Sequence, residues 1–176
     1  MSKDALREIA DRYGTDKGSS KHHYTISYSK YLEPIRDQKL NFLEIGVAEG
    51  SSILMWSEYL KNSSIIGADY YTEKELTEFY NQKSFNNKNV NVEENMRKIS
   101  ENKNCQLIQI NQASRESLKN IKEDFDVIVD DGSHISGDIL LTLGVLSKRL
   151  KPGGYYFIED LNCTRSFDNR GESNQY

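Results

Sequence analysis

Five consecutive residues, Asp130-Asp131-Gly132-Ser133-His134, set two carboxylates and an imidazole at the end of an apolar run. Carboxylates can hold a divalent cation and an imidazole can accept a proton near neutral pH, so the group has the parts for metal-assisted or general-base chemistry. A second acidic pair, Glu159-Asp160, closes another apolar run, Tyr155-Tyr156-Phe157-Ile158. The run before the first group, Phe125-Asp126-Val127-Ile128-Val129, is rich in β-branched residues and reads as a strand buried on both faces. In a parallel sheet such a strand points its C-terminal end at the ligand crevice, and two neighbouring strands ending in carboxylates can converge on one cation.

A third group lies upstream. Phe42-Leu43-Glu44-Ile45-Gly46-Val47-Ala48-Glu49-Gly50 reads as a strand followed by a glycine turn and a helix start, and Asp69 ends the next strand 19 residues after Gly50. A glycine turn lets backbone approach a ligand, and an acid at the second strand end can accept hydrogen bonds from a ribose diol. The Gly-x-x-x-Gly spacing lacks the fingerprint that seats a pyrophosphate, and Glu44 would repel one. A phosphate-free cofactor with a positive centre fits, and S-adenosylmethionine carries a ribose, an ammonium and a sulfonium. Taken alone, Gly46 and Gly50 serve equally well as a tight strand-to-helix connection; Asp69 favours the cofactor.

The elements that position these groups alternate. An amphipathic helix over residues 3–13 is followed by Gly14, a polar loop and a second helix ending near Pro34. Strands are expected at Asn41 to Ile45, Ser64 to Ala68, Gln106 to Ile110, Phe125 to Val129 and Tyr155 to Ile158, with helices around Ile53 to Leu60, Leu118 to Ile121 and Ile139 to Leu150. Lys151-Pro152-Gly153-Gly154 is expected to turn into the last strand. Residues 71–104, dominated by Asn, Lys and Glu, read as a mobile surface excursion with two short helices. This order predicts a doubly wound α/β domain, Rossmann-like, with a parallel sheet covered by helices on both faces.

With 176 residues, one domain is expected, divided into a helical cap (1–40), a core (41–161) and a polar tail (162–176). The net charge of -4 and the absence of a basic block disfavour a nucleic-acid partner, and no stretch approaches the length of a membrane span. The N-terminus lacks the apolar core of a signal peptide, so a cytoplasmic protein is expected. Cys105 and Cys163, the two cysteines, stand outside any CxxC spacing and read as free thiols.

Tyr13-Gly14-Thr15-Asp16-Lys17-Gly18, Leu43-Glu44-Ile45-Gly46-Val47, Val129-Asp130-Asp131-Gly132-Ser133-His134 and Ile158-Glu159-Asp160-Leu161, in this order, resemble class I S-adenosylmethionine-dependent methyltransferases. More narrowly they resemble the metal-dependent O-methyltransferases of macrolide sugars and glycans, whose relatives include proteins labelled cephalosporin hydroxylase. The resemblance implies S-adenosyl-L-methionine and Mg²⁺ as cofactors and a sugar or small polyol as methyl acceptor. It assigns Glu44, Gly46 and Gly50 to the methionine and ribose end, Asp69 to the ribose diol, and Asn111 and Gln112 to the adenine. Relatives carry an Asp where Asn111 stands, and an amide oxygen can still accept from the adenine amino group. It assigns Asp131, Glu159 and Asp160 to the cation and His134 to the general base. Asp130 is expected to bond backbone amides or cap the following helix, and is grouped with the cofactor-facing residues. The region of His22, His23 and Tyr24 covers the cofactor in relatives; a plain surface loop is the alternative.

Members of the family continue past the Ile-Glu-Asp-Leu motif into two more strands, which are absent here. The last strand is therefore expected to form an exposed edge that a second copy could cover. Two functional classes stay open: a Mg²⁺-dependent O-methyltransferase, or a truncated or non-catalytic module that binds the cofactor or a nucleoside.

Overall fold

The computed structural model describes residues 4–82 and 90–162. In chain order its elements are α1 (Ala5–Tyr13), α2 (Tyr24–Leu32), β1 (Asn41–Ile45), α3 (Ser51–Tyr59), β2 (Ser64–Asp69), α4 (Glu73–Gln82), α5 (Val92–Glu101), β3 (Cys105–Gln109), α6 (Arg115–Lys119), β4 (Phe125–Asp130), α7 (Ser136–Leu146) and β5 (Leu150–Ile158). The five strands are all parallel, in the order β3-β2-β1-β4-β5. The expected doubly wound α/β sheet is therefore present. The chain steps outward from β1 to β3 and then returns to the other side of β1, so the strand order reverses between β1 and β4. That switch point opens a crevice at the C-terminal strand ends.

Strand alternation decides which face each side chain meets. Phe42 on β1, Val127 and Val129 on β4, and Tyr155 and Phe157 on β5 pack with Leu6, Tyr28 and Trp56 of the cap and α3. Leu43, Ile45, Ile128 and Tyr156 pack on the opposite face with Leu118 and Leu146. Trp56 is fully buried, edge-on to Tyr28 at 4.9 Å between ring centroids. Burying side chains of this size is worth about 1.5–3 kcal/mol each before entropy is charged against it.

Two expectations need correction. Residues 71–104 hold the α4–α5 pair rather than a loose excursion: Leu76, Val92, Met96 and Ile99 all join the cap-side core. Few apolar anchors suffice because three of them fall on one helical stripe and Asn91 caps α5 by accepting from the Glu94 amide at 3.0 Å. Gly50 makes the approach possible, since a Cβ there would stand 2.9 Å from Ile99 Cδ1. The segment Lys151-Pro152-Gly153-Gly154, expected as a turn, is a bulge inside β5. Leu150 pairs with Phe125 and Tyr155 with Val127, so the intervening residues oppose Asp126 alone. Lys151 Nζ pairs with Asp126 at 2.8 Å, and Gly154 lies so close to Asp126 that a Cβ would stand 2.7 Å from its carbonyl oxygen. Helix α7 ends at Leu146, four residues before the expected Leu150, and α6 is a single short turn. The polar tail beyond residue 162, with Cys163, lies outside the described residues.

Candidate active site

The alternation that sorts the core also sorts the acids. Glu44 follows Phe42 by two residues, Asp131 follows Val129 by two, and Glu159 follows Phe157 by two, so all three lie on the cap side of the sheet. Asp130 and Asp160 occupy the alternate positions. Backbone bonds hold the strand ends level: the Asp131 amide donates to Ile45 O at 2.9 Å and the Glu159 amide to Asp130 O at 3.0 Å.

Among the three cap-side acids sits Lys17, from the loop between α1 and α2. It is 1% exposed, and its ammonium lies 3.5 Å from Glu44 Oε1, 3.1 Å from Glu159 Oε1 and in direct contact with Asp131 Oδ2. Burial alone would lower the Lys17 pKa, but the charges of Asp131, Glu159 and Glu44 together hold it well above the usual lysine range. Burial pushes Glu44 up to about 7, with the Asp131 charge adding to the rise and Lys17 opposing it. Glu159 is raised for the same reason, burial first, and Tyr28 donates its hydroxyl to Glu159 Oε1. Ser52, at the start of α3, donates to Glu44 Oε2 at 2.7 Å.

On the outer side, Asp131 Oδ1 lies 3.8 Å from His134 Nε2. Asp131, His134 and Asp160 can bring one donor atom each within 4.8 Å of the others, as can Glu44, Asp131 and Glu159. Asp131 thus belongs to two groups, one closed by an ammonium and one facing the rim. Asp160 accepts from the Tyr24 hydroxyl at 2.5 Å, and Tyr24 stacks on His22 at 5.2 Å. Burial and this hydrogen bond push Tyr24 up to about 12. His23, Ala48, His134 and Asp160 all have positive φ, and all lie in loops on this rim. Backbone strain of this kind costs on the order of 1–3 kcal/mol per residue and gathers at functional sites.

The expected cofactor-facing residues spread over the crevice. Gly46 (φ +91) sits where a Cβ would stand 2.1 Å from Asp131 O, so the turns after β1 and β4 touch there and a glycine is required. Gly50 (φ +77) starts α3 and faces α5. Asp69 Oδ2 accepts from the Val47 amide at 2.8 Å, and its Oδ1 from the Tyr71 amide at 3.1 Å. Asn111 accepts from the Ala113 amide at 2.9 Å. Gln112 is buried: its amide donates to Asp130 Oδ1 at 2.7 Å, and its oxygen accepts from the Ser133 amide at 2.8 Å. Asp130 also bonds the Gly132 backbone and is pushed up to about 6, by burial first. It turns inward on the α6–α7 side, and the residue before α7 is Ile135, with no side-chain cap.

An open cleft of about 240 Å³ runs between the Gly14-to-Lys17 loop and the Gly46-to-Glu49 turn, with Ser51, Tyr80 and Asp131 on its walls. Lys17 and Gln112's inward role are what sequence reasoning missed. Strand parity separates Asp131 from Asp130, whereas for Lys17 the sequence offers only its place between Gly14 and Gly18, which does not mark a buried ammonium.

A methyltransferase domain model matches residues 43–161, and the chain belongs to this family. The chain is 30% identical over 165 residues to an L-olivosyl-oleandolide 3-O-methyltransferase of Streptomyces antibioticus, covering 88% of this chain and 36% of the relative. It is likewise 30% identical to an 8-demethyl-8-alpha-L-rhamnosyl tetracenomycin-C 2'-O-methyltransferase of Streptomyces olivaceus, with 90% and 38% covered. The chain thus spans little more than a third of the length of these relatives. Among solved structures, the MycE methyltransferase of the mycinamycin biosynthetic pathway, in complex with Mg, SAH and mycinamycin VI, superposes with a TM-score of 0.74 at 26% identity, over 93% of this chain and 41% of that one. The SAH-bound Podospora anserina methyltransferase PaMTH1, at 20% identity and a TM-score of 0.57, shares the fold.

Proposed function

We propose that this domain transfers a methyl group from S-adenosylmethionine to a hydroxyl of a sugar or similar small polyol, with a divalent cation, Mg²⁺, at the rim. The observation that carries the reading is the convergence of Asp131, His134 and Asp160 at the switch point, with Glu159 beside Asp131 on the Lys17 side and the Gly46 turn against Asp131 at the cleft. The residues fit both groups. An ionised carboxylate has about four acceptor sites, so Asp69 retains capacity for a ribose diol beside its backbone bonds. An all-oxygen set of carboxylates suits Mg²⁺, with Asp131 as the central ligand and Asp160 and Glu159 beside it.

When bound, the cofactor supplies an electrophilic methyl and the cation stabilises negative charge developing on the acceptor oxygen. His134 takes the hydroxyl proton as the methyl is transferred, a role worth about 10²–10⁴-fold in rate. The Gly46 and Gly14 loops orient the cofactor, and proximity in the cleft does the rest. The O-methyltransferases and the MycE complex described above support both the acceptor class and the cation.

Calorimetry with S-adenosylmethionine, SAH and NAD, each with Mg²⁺ or with chelator, tests the reading. Binding of the first two and not of NAD is expected; failure of both to bind overturns it. Turnover on a sugar acceptor then separates an enzyme from a cofactor-binding module. Among the described residues β5 is a sheet edge, and we propose that a second copy covers it; a stable monomer at high concentration in sedimentation would count against this. No helix among the described residues is long and apolar enough to cross a membrane. The acidic net charge fits a setting without nucleic acid, and we propose a cytoplasmic one.

A further inference from the structure

Lys17 has no part in the chemistry just described, yet it is among the most buried side chains of the site. Packing alone does not call for it, because an aliphatic chain of equal length would fill the same volume without the cost of desolvating an ammonium. What distinguishes Lys17 is the origin of its partners: Glu44 from β1, Asp131 from the end of β4 and Glu159 from the end of β5. It is the point at which the cap reaches three strand ends together.

We propose that Lys17 is a positioning residue, the shared counter-ion that holds these three carboxylates in one orientation and ties the α1–α2 loop to the sheet. Its contact fixes Asp131 Oδ2 inward, and this sets Asp131 Oδ1 toward His134. The same tie holds Gly14, Thr15 and Asp16 in place as one wall of the cleft. Two further bonds dock the loop against α2 and α1: the Thr25 amide donates to Lys17 O at 3.1 Å, and the Thr15 amide to Ala10 O at 3.2 Å. The inference rests on the methyltransferase reading only for what the positioned groups do.

The test needs no cofactor, so its failure is separable from failure of that reading. Thermal unfolding is followed for the full chain, Lys17→Met, Glu159→Gln and the double variant, all in chelator. Lys17→Met strands three acids without a counter-ion and should melt roughly 6–20 °C lower. Glu159→Gln should lower the melting temperature of the parent but raise that of Lys17→Met, because there it removes a stranded charge. A packing role for Lys17 gives no such reversal, and a shift of the same sign in both backgrounds overturns the proposal. If Lys17→Met does not fold, recovery of a folded double variant supports the counter-ion and its failure to fold overturns it. Hydrogen exchange on the folded variant reads the tie directly. Amides of residues 14–18 should exchange at least about tenfold faster while β2 and β3 stay protected; an unchanged loop overturns the positioning role.

Discussion

Asp131 and Asp69 stand at comparable places, each at the C-terminal end of a strand on the same rim, yet the molecule balances them differently. Asp131 faces a buried ammonium on one oxygen and an imidazole on the other, with two more buried acids sharing that ammonium. Among the described residues Asp69 is balanced by backbone dipoles, the amides of Val47, Ala48 and Tyr71. A charge paired with a cation is fixed in place and costly to disturb, whereas one held by neutral donors keeps its field and its spare acceptor sites. On the proposed function, the β4–β5 half of the rim would serve chemistry on a developing charge, and the β2–β3 half recognition of a neutral polar ligand.

If that division holds, variants in the two halves should separate cleanly in kinetics. Asp131→Ala should abolish the Mg²⁺ dependence of turnover, read by titrating Mg²⁺ into chelated enzyme; a retained dependence would move the cation elsewhere. His134→Ala should reduce turnover by about 10²–10⁴-fold while SAH affinity by calorimetry stays within about twofold. A large loss of SAH affinity there would blur the two halves into one. Asp69→Ala should do the reverse, weakening SAH by about 1–3 kcal/mol through a buried hydrogen-bond partner lost to the ligand, with turnover at saturating cofactor little changed.

The same division explains what the sequence could tell. The strands at β1, β2 and β4 were legible because buried parallel strands are nearly continuous apolar runs, and the rim acids were legible because each directly follows such a run. Strand parity went further than composition: it puts Glu44, Asp131 and Glu159 on one face and Asp130 on the other, a distinction written in the residues from Phe125 to Asp131 and from Tyr155 to Glu159. Lys17 was not legible as a buried counter-ion, because a lysine in a polar loop ordinarily points to water. Its partners lie 27 to 142 positions away in the chain. The two helices of the α4–α5 pair were expected, but their packing into the core was not legible, for a related reason. Val92, Met96 and Ile99 join the cap-side core, and Met96 and Ile99 meet α3 across the side-chain-free Gly50, a tertiary contact that local propensity cannot register.

Two stability measurements sharpen the contrast further. Gly46 is where the two halves touch, through its approach to Asp131 O. Gly46→Ala places a Cβ at positive φ against backbone that cannot give way, so a loss of at least about 1–3 kcal/mol is expected in denaturant melts. A neutral result would mean that the turns after β1 and β4 move independently. The smallest effect belongs to an ion pair outside both halves, Arg12 with Glu58, a two-pronged contact at 2.7 and 3.0 Å between half-exposed side chains. Solvent screens it, and Arg12→Ala should cost only about 0.2–1 kcal/mol, shrinking further in high salt. Since the pair joins α1 to α3 it also anchors the cap, so a larger, salt-independent loss would show that the cap depends on its surface contacts more than on the buried counter-ion at Lys17.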